Sequence, residues 1–280
     1  MSEMRHESME DSIVWQLCRA ITARRPPHWV MVIEAYADET GVHAGAPITG
    51  VAAYLADGQQ WFQFEQAWLG VLQQPEFNIE VFRQSDYETF NGEFKDWDVG
   101  KKLAFGKCLF PILPAHTWCG RGYAIVNRDF DDAMIGHEEL KTILSSPYMI
   151  CFQRVVEVLL EKMESAPPDT RLALFHENND FTGEAQKCWD QWLKPHDKYN
   201  RLISLTFGGK KDFVPLQAAD ALAYESYKAL NNYRYDKGRR RESLEIMRRG
   251  DILTKFWDRE NLARAVPRLE TQLRAESEPR

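Results

Sequence analysis

An acidic residue interrupts the apolar face of a predicted helix in the C-terminal half of the chain. The segment that begins at Pro215 has apolar residues at positions 216, 219, 223 and 227, which is the spacing of one helix face, and Asp220 lies within that face. A carboxylate that faces a protein core costs several kcal/mol unless a cation or a metal ion compensates its charge. Asp220 is therefore predicted either to bind a metal ion or to serve a structural role, as a buried residue that caps a loop or forms an ion pair with an arginine.

A second acidic position closes a predicted strand. Asp38 follows the mostly apolar run 29–37, and Glu39 stands beside it. A carboxylate at the end of a strand projects over the edge of the sheet, towards a helix packed on it; alternatively, the two residues form an ordinary polar turn. Glu34 shares the face of Asp38 by the two-residue alternation of a strand, and it is either a further member of the site or a residue on an exposed face.

A third acidic group also follows a strand. Glu177 and Asp180 come after the apolar run 172–175, and the alternative for them is a polar loop. Carboxylate oxygens suit Mg²⁺ and Mn²⁺, and two such ions about 4 Å apart promote the cleavage of phosphodiesters. The members of the predicted Mg²⁺ or Mn²⁺ site are Asp38, Glu177 and Asp220, with Glu39 or Asp180 assisting.

Basic residues near these acids are candidates for contacts with phosphate. Between positions 228 and 249, directly after the helix that carries Asp220, eight basic residues stand against three acidic ones. This stretch is either a rim that binds phosphates or a solvated helix face. The residues predicted to bind the substrate are Lys210, Lys211, Arg239, Arg240 and Arg241.

The order of the predicted elements indicates the fold class. A strand over 29–37 and another over 48–54 are spaced as a β-hairpin, and later strands alternate with helices. The later strands are predicted at 78–82, 118–126, 172–175 and 202–207, and the helices at 60–73, 98–113, 146–165, 182–193, 215–231 and 241–276. This order predicts an α/β fold with a mixed β-sheet flanked by helices, in which strand ends are the expected place for a site.

The composition restricts the class of protein and its partners. The chain carries a net charge of −7, which argues against a large basic platform for nucleic acid but leaves room for a local basic groove. No apolar run approaches the roughly 20 residues of a membrane helix, so no membrane partner is expected. The five cysteines form no CxxC pair and are expected to be reduced, which predicts a cytoplasmic location.

Two motifs resemble a known family. The sequence Ala-Asp-Glu-Thr-Gly at 37–41 resembles an N-terminal Asp-Glu-Ser-Gly motif, and Pro-Leu-Gln-Ala-Ala-Asp-Ala-Leu-Ala at 215–223 resembles a C-terminal Leu-Gln-x-Ala-Asp-x-x-Ala motif. Together they resemble the domain-of-unknown-function family 3800, over roughly residues 30–230. The resemblance implies a ribonuclease H-like fold and a nuclease activity. It also implies acidic site positions at Asp38, Glu39, Glu177 and Asp220.

The sequence thus predicts three regions and one main function. An N-terminal helical extension covers 1–27, a ribonuclease H-like domain covers 28–232, and a charged helical extension covers 233–280. The predicted function is a divalent-metal-dependent nuclease, or a related phosphoryl-transfer enzyme, that acts on DNA or RNA. The alternative is a non-catalytic module with the same fold that binds nucleic acid or protein.

Overall fold

A six-stranded mixed sheet organises the computed structural model, which describes residues 31–41, 45–144, 146–234 and 241–277. Its strands are β1 (Val32–Thr40), β2 (Ile48–Asp57), β3 (Cys119–Val126), β4 (Arg171–Glu177), β5 (Leu202–Gly208) and β6 (Ile252–Trp257). They lie in the order β5-β4-β1-β2-β3-β6. β1, β2 and β3 are antiparallel, whereas β4 runs parallel to β1, β5 to β4 and β6 to β3. The predicted α/β class, a mixed sheet flanked by helices, is confirmed.

Eleven α-helices of the described residues connect or cover these strands. They are α1 (Gly58–Leu72), α2 (Gln84–Thr89), α3 (Val99–Leu109), α4 (Ile112–His116), α5 (Asn127–Ala133), α6 (Glu138–Leu144), α7 (Pro147–Lys162), α8 (Thr182–Cys188), α9 (Pro215–Arg234), α10 (Glu242–Met247) and α11 (Arg259–Ser277). Ser146 caps α7 through its hydroxyl and Pro147 is the first residue of that helix, as the sequence predicts. None of these helices combines the length and the apolar character that crossing a membrane requires.

Several predicted elements differ from the structure. Residues 78–82, where a strand is predicted, have an irregular backbone. Ile79 and Phe82 each pack separately into a core of aromatic side chains, and Asn78 has a positive φ of 51°. The helix predicted at 98–113 breaks before Ile112, since Pro111 has no backbone N–H to continue it. The helix predicted at 182–193 changes to a π-turn over Trp189–Leu193.

The largest correction concerns the C-terminal segment. The sequence predicts helix over 241–276, but residues 252–257 form β6, and β6 pairs with β3 along the edge of the sheet. Part of the predicted charged extension is therefore built into the same sheet as the predicted ribonuclease H-like domain. The predicted N-terminal extension, 1–27, lies outside the described residues, as do Arg239 and Arg240.

Alternation along β1 directs its acidic end towards α9. Ile33 and Ala37 pack in a hydrophobic layer with α7, whereas Tyr36 packs in the opposite layer with α1 and α9. Asp38 follows Tyr36 by two residues, so it faces the same side of the sheet. That side holds α9, the helix that carries Asp220.

Close packing of α9 on the sheet depends on a small residue in β3. A Cβ added at Gly120 would lie 2.5 Å from Ile252 Cδ1, 2.7 Å from Tyr54 Cε1 and 2.9 Å from Leu222 Cδ2. Leu222 belongs to α9, so Gly120 leaves the space that this helix and its alanines occupy.

We expect Gly120→Ala to lower the free energy of unfolding by about 1–3 kcal/mol, because two buried side chains and the partly buried Ile252 must shift to admit one methyl group. Gly183→Ala is the matched control, since a Cβ at that helical position meets nothing within 4 Å. Urea denaturation of both variants measures the effect. Equal stabilities would show that the core around β3 is looser than these distances indicate.

Candidate metal centre

Parallel pairing brings the ends of two strands together. Ala37 of β1 pairs with His176 of β4, so the carboxyl ends of these strands adjoin at one edge of the sheet. Asp38 and Glu39 near the end of β1 therefore lie beside Glu177, the last residue of β4. Only 1% of Asp38 is exposed.

Three carboxylates form a compact set of oxygen ligands. One oxygen from each of Asp38, Glu39 and Glu177 lies within 4.8 Å of the other two. Among the described residues, neither Asp38 Oδ2 nor Glu39 Oε2 accepts a hydrogen bond, although both atoms are buried. Buried oxygens without donors are rare in folded proteins. An all-oxygen set with two such atoms fits Mg²⁺ or Mn²⁺.

A lysine lies at the centre of the acidic cluster. Lys210 Nζ is 2.9 Å from Asp38 Oδ2, 3.5 Å from Asp220 Oδ1 and in direct contact with Glu177 Oε2. Lys210 and Asp38 form an ion pair, but the ammonium is not aligned to donate a hydrogen bond to Asp38. Asp38 Oδ2 therefore accepts no hydrogen bond, although it is close to this cation. The sequence places Lys210 in a loop that binds phosphate, but only 4% of this residue is exposed and its charge faces the acids.

Asp220 joins the cluster from α9, as the position of this acid on the helix predicts. Its Oδ1 faces Lys210, and its Oδ2 accepts a 2.6 Å hydrogen bond from the backbone N–H of Gln84. Asp38 and Asp220 are thus brought to the same ammonium from opposite ends of the sequence. Asp220 is not among the three carboxylates whose oxygens converge within 4.8 Å.

Burial and mutual repulsion set the protonation of the acids. Burial raises the pKa of Asp38 well above its usual range, and the neighbouring carboxylates add to this effect, although Lys210 opposes it. Burial, followed by the charge of Glu177, raises the pKa of Glu39 to about 7. Protons thus compensate part of the negative charge at neutral pH when no metal ion is bound.

Lys210 and Glu177 stay charged in the same environment. Burial opposes the ionisation of Glu177, but the charge of Lys210 and, less strongly, that of Arg83 lower the pKa of Glu177. Burial alone would lower the pKa of Lys210, whereas Asp38, Asp220 and Glu177 raise it above its ordinary value. The two groups therefore form an ion pair in the ionised state.

A neutral histidine supports the end of β4. His176 is fully buried, and its Nδ1 lies 2.7 Å from the carbonyl oxygen of Glu177. A carbonyl only accepts, so Nδ1 carries the proton and Nε2 accepts from the Tyr148 hydroxyl at 2.9 Å. Burial lowers the pKa of His176 to about 4, so the imidazole is uncharged beside Glu39. His176 thus fixes the backbone that presents Glu177.

The other sequence candidates lie away from the three carboxylates. Asp180 is exposed in the loop after β4. Lys211 is exposed and pairs with Glu80, with 2.6 Å between Nζ and Oε1. Arg241 is not a free cation on a rim, because its guanidinium forms an ion pair of 2.7 Å with the fully buried Glu225. Its side chain is 10% exposed, and the predicted phosphate-binding role of Arg241 stays a prediction.

Sequence patterns did not indicate two residues near the cluster. Gln84 supplies the hydrogen bond that orients Asp220, and the exposed Arg83 precedes it. Neither residue belongs to a motif or to a periodic pattern. Their nearness to Glu177 and Asp220 arises only when the irregular segment before α2 packs against α9.

Glu34 shares the face of Asp38 but belongs to another environment. It is buried, it accepts a 2.9 Å hydrogen bond from the Tyr36 hydroxyl, and its charge acts on Glu65 of α1. It is not one of the three converging carboxylates. Burial, followed by the charge of Glu34, raises the pKa of Glu65 to about 7.

The raised pKa of Glu65 predicts a change of stability with pH. The pKa is higher in the folded than in the unfolded chain, so the stability that the protonated acid contributes is complete below about pH 4.5 and is lost as the pH rises through about 7. Glu65→Gln should therefore be neutral at pH 4.5 and should raise the free energy of unfolding at pH 8 by about 1–3 kcal/mol. Urea denaturation at both pH values tests this, with the exposed Glu76→Gln as control. A gain of equal size at both pH values would contradict it.

The comparisons with known proteins include a similarity to solved structures. No protein-family model matches the chain, and no curated protein matches it. The chain is similar to a structure described as "Crystal structure of Bst-RNase HIII in complex with Mn2+", with a TM-score of 0.40 and 14% sequence identity over 71% of this chain and 53% of that one. The chain thus spans about half the length of that protein. Membership of family 3800 stays a prediction.

Proposed function

We propose that this protein is a divalent-metal-dependent nuclease with a ribonuclease H-like fold, and that it belongs to the family that its two motifs resemble. The observation that carries the proposal is the convergence of Asp38, Glu39 and Glu177 within 4.8 Å, with two buried oxygens that accept no hydrogen bond from the described residues. Mg²⁺ or Mn²⁺ bound there would lower the pKa of a coordinated water and neutralise charge on a phosphate.

The residues of the chain have distinct roles in this proposal. Asp38, Glu39 and Glu177 hold the ion, and Gln84 keeps Asp220 turned towards Lys210 through its backbone N–H. The exposed cations Arg83 and Lys211 contact phosphates of the nucleic acid, which explains how an acidic chain can bind a polyanion locally.

One observation favours a second candidate, a non-catalytic module that binds nucleic acid or protein. Lys210 already lies among three carboxylates, so the described residues partly neutralise the cluster without a metal ion. In such a module the acids and Lys210 would serve as a buried ion-pair network, and the metal affinity would be low.

Metal titration combined with a cleavage assay distinguishes these candidates. We expect Mn²⁺ and Mg²⁺ to bind in calorimetry and to raise the melting temperature. With Mn²⁺ present, the protein should also cleave at least one member of a panel of single-stranded and double-stranded DNA, RNA and hybrid duplexes. Metal binding without cleavage of any member would favour the module, and the absence of metal binding would overturn the nuclease proposal.

A further inference from the structure

The acidic cluster contains two overlapping sets of contacts. One set, formed by Asp38, Glu39 and Glu177, offers oxygens to a metal ion. The other set, formed by Asp38, Glu177 and Asp220, surrounds the ammonium of Lys210. Of these four acids, Asp220 alone contacts the ammonium without belonging to the first set, so the carboxylate that could complete the ligands of a second ion already contacts a side chain.

We propose that this site binds a single divalent ion, and that the Lys210 ammonium takes the place of the second ion as a catalytic cation that contacts the substrate phosphate. The inference rests on the proposed nuclease function. Lys210 is then a further catalytic residue for that function, and the site holds one ion.

A hydrogen bond holds the backbone of Lys210, so the ammonium does not belong to a freely moving loop. The carbonyl oxygen of Lys210 accepts a 3.0 Å hydrogen bond from Gln217 Nε2. Gln217 is buried on α9, and its Oε1 accepts from Trp68 Nε1 at 2.9 Å and from the backbone N–H of Phe82 at 3.0 Å. The loop is thus fixed to the core on the side of the sheet that holds the acids.

Repulsion between positive charges also favours one ion. Asp38, Glu39, Glu177 and Asp220 carry at most four negative charges, and Lys210 together with one divalent ion supplies three positive charges. A second divalent ion would lie against the ammonium in a buried environment, where repulsion between like charges is weakly screened.

Glu177 and Asp220 form the accessible side of the cluster. The side chains of Glu177 and Asp220 are each 17% exposed, whereas those of Lys210 and Asp38 are 3% and 1% exposed. A phosphate that enters past Glu177 and Asp220 therefore meets Lys210 before it meets the base of the cluster. A lysine ammonium is a compact point charge that binds phosphate oxygens well.

Counting bound Mn²⁺ tests the inference. Equilibrium dialysis and calorimetry on the full chain should give one ion for the wild type and one for Lys210→Arg, which keeps the charge. Lys210→Met should bind two ions, because the ligands around the lost ammonium become available. Lys211→Met, which changes the exposed neighbour, should bind one ion. Circular dichroism checks the fold of each variant.

The outcomes separate this inference from the nuclease proposal. Two ions in the wild type would overturn the role of Lys210 while leaving a metal-dependent nuclease intact. One ion in Lys210→Met, with the affinity of the wild type, would also overturn it. The absence of any bound ion in the wild type would overturn the nuclease proposal itself. If Lys210→Met does not fold, the counts for the wild type and Lys210→Arg still decide between one ion and two.

Discussion

Asp38→Asn should abolish the rise in melting temperature that Mn²⁺ produces and should reduce metal-dependent cleavage by about 100-fold or more, since a bound ion supplies several kcal/mol of transition-state stabilisation. Asp38 belongs to both sets of contacts, the one for the ion and the one for Lys210. The amide has one weaker oxygen ligand and no charge. At an ion concentration of 100 times Kd, the stabilisation that is lost amounts to about 2.7 kcal/mol.

The fold of Asp38→Asn should persist, because burial already raises the pKa of this carboxyl and the uncharged amide resembles its protonated form. Asp180→Asn is the matched control: it also follows a strand of the cluster, but it is exposed and should keep both the metal response and the cleavage. Thermal unfolding with and without Mn²⁺, followed by the cleavage assay, measures both effects. A full Mn²⁺ response in Asp38→Asn would remove Asp38 from the site.

Glu225→Ala should lower the free energy of unfolding by about 3–5 kcal/mol, the usual cost of removing one partner from a buried ion pair. Glu225 is fully buried in α9 and accepts from Arg241 Nη2 at 2.7 Å, from Ser243 Oγ at 2.6 Å and from Gln84 Nε2 at 2.8 Å. Without the carboxylate, the guanidinium of Arg241 would retain Glu88 at 3.2 Å as its acidic partner among the described residues.

A surface ion pair provides the comparison for Glu225→Ala. Glu260 pairs with Arg264 one turn away on α11, and both side chains are largely exposed. Glu260→Ala should cost less than about 1 kcal/mol. Urea denaturation of the two variants gives the difference directly. Similar losses in both would mean that the contact between Arg241 and Glu225 is far more solvated than its burial indicates.

Sequence patterns found the acids of the site because each acid interrupts an apolar pattern. Asp38 ends a hydrophobic strand and Asp220 lies on the apolar face of a helix. Burial of either carboxylate costs free energy unless a cation or a metal ion compensates its charge. Glu177 is located by the same rule at the end of a strand. The mixed α/β sheet follows from the order of strands and helices.

The cationic partners could not be placed in this way. Lys210 lies in a loop with Gly209, where no periodicity indicates burial. Its position depends on Gln217, which Trp68, far away in sequence, holds in turn. Arg241 belongs to a basic run that is typical of a solvated surface, yet the pairing of α9 with α10 buries it. Tertiary packing decides both positions, and the local composition of the chain does not predict it.

The charged residues of the C-terminal region are also the reason why the sequence does not predict β6. Residues 252–257 are a short run between charged segments, and they adopt a strand because the edge of β3 offers backbone hydrogen-bonding groups to pair with. A single lysine in the middle of the run, Lys255, makes a strand of moderate apolar character. Tertiary pairing outweighs local propensity here.

The sheet order has a consequence for the rate at which the protein folds. β1 pairs with β4 across the whole middle of the chain, and β3 pairs with the late strand β6, so two of the five strand pairings close very long loops. Topologies of this kind fold slowly, because the entropy of loop closure is lost before the contacts form. The cluster needs β1, β4 and α9 together. In refolding experiments, the capacity to bind Mn²⁺ should therefore appear only with the slowest phase that restores native structure.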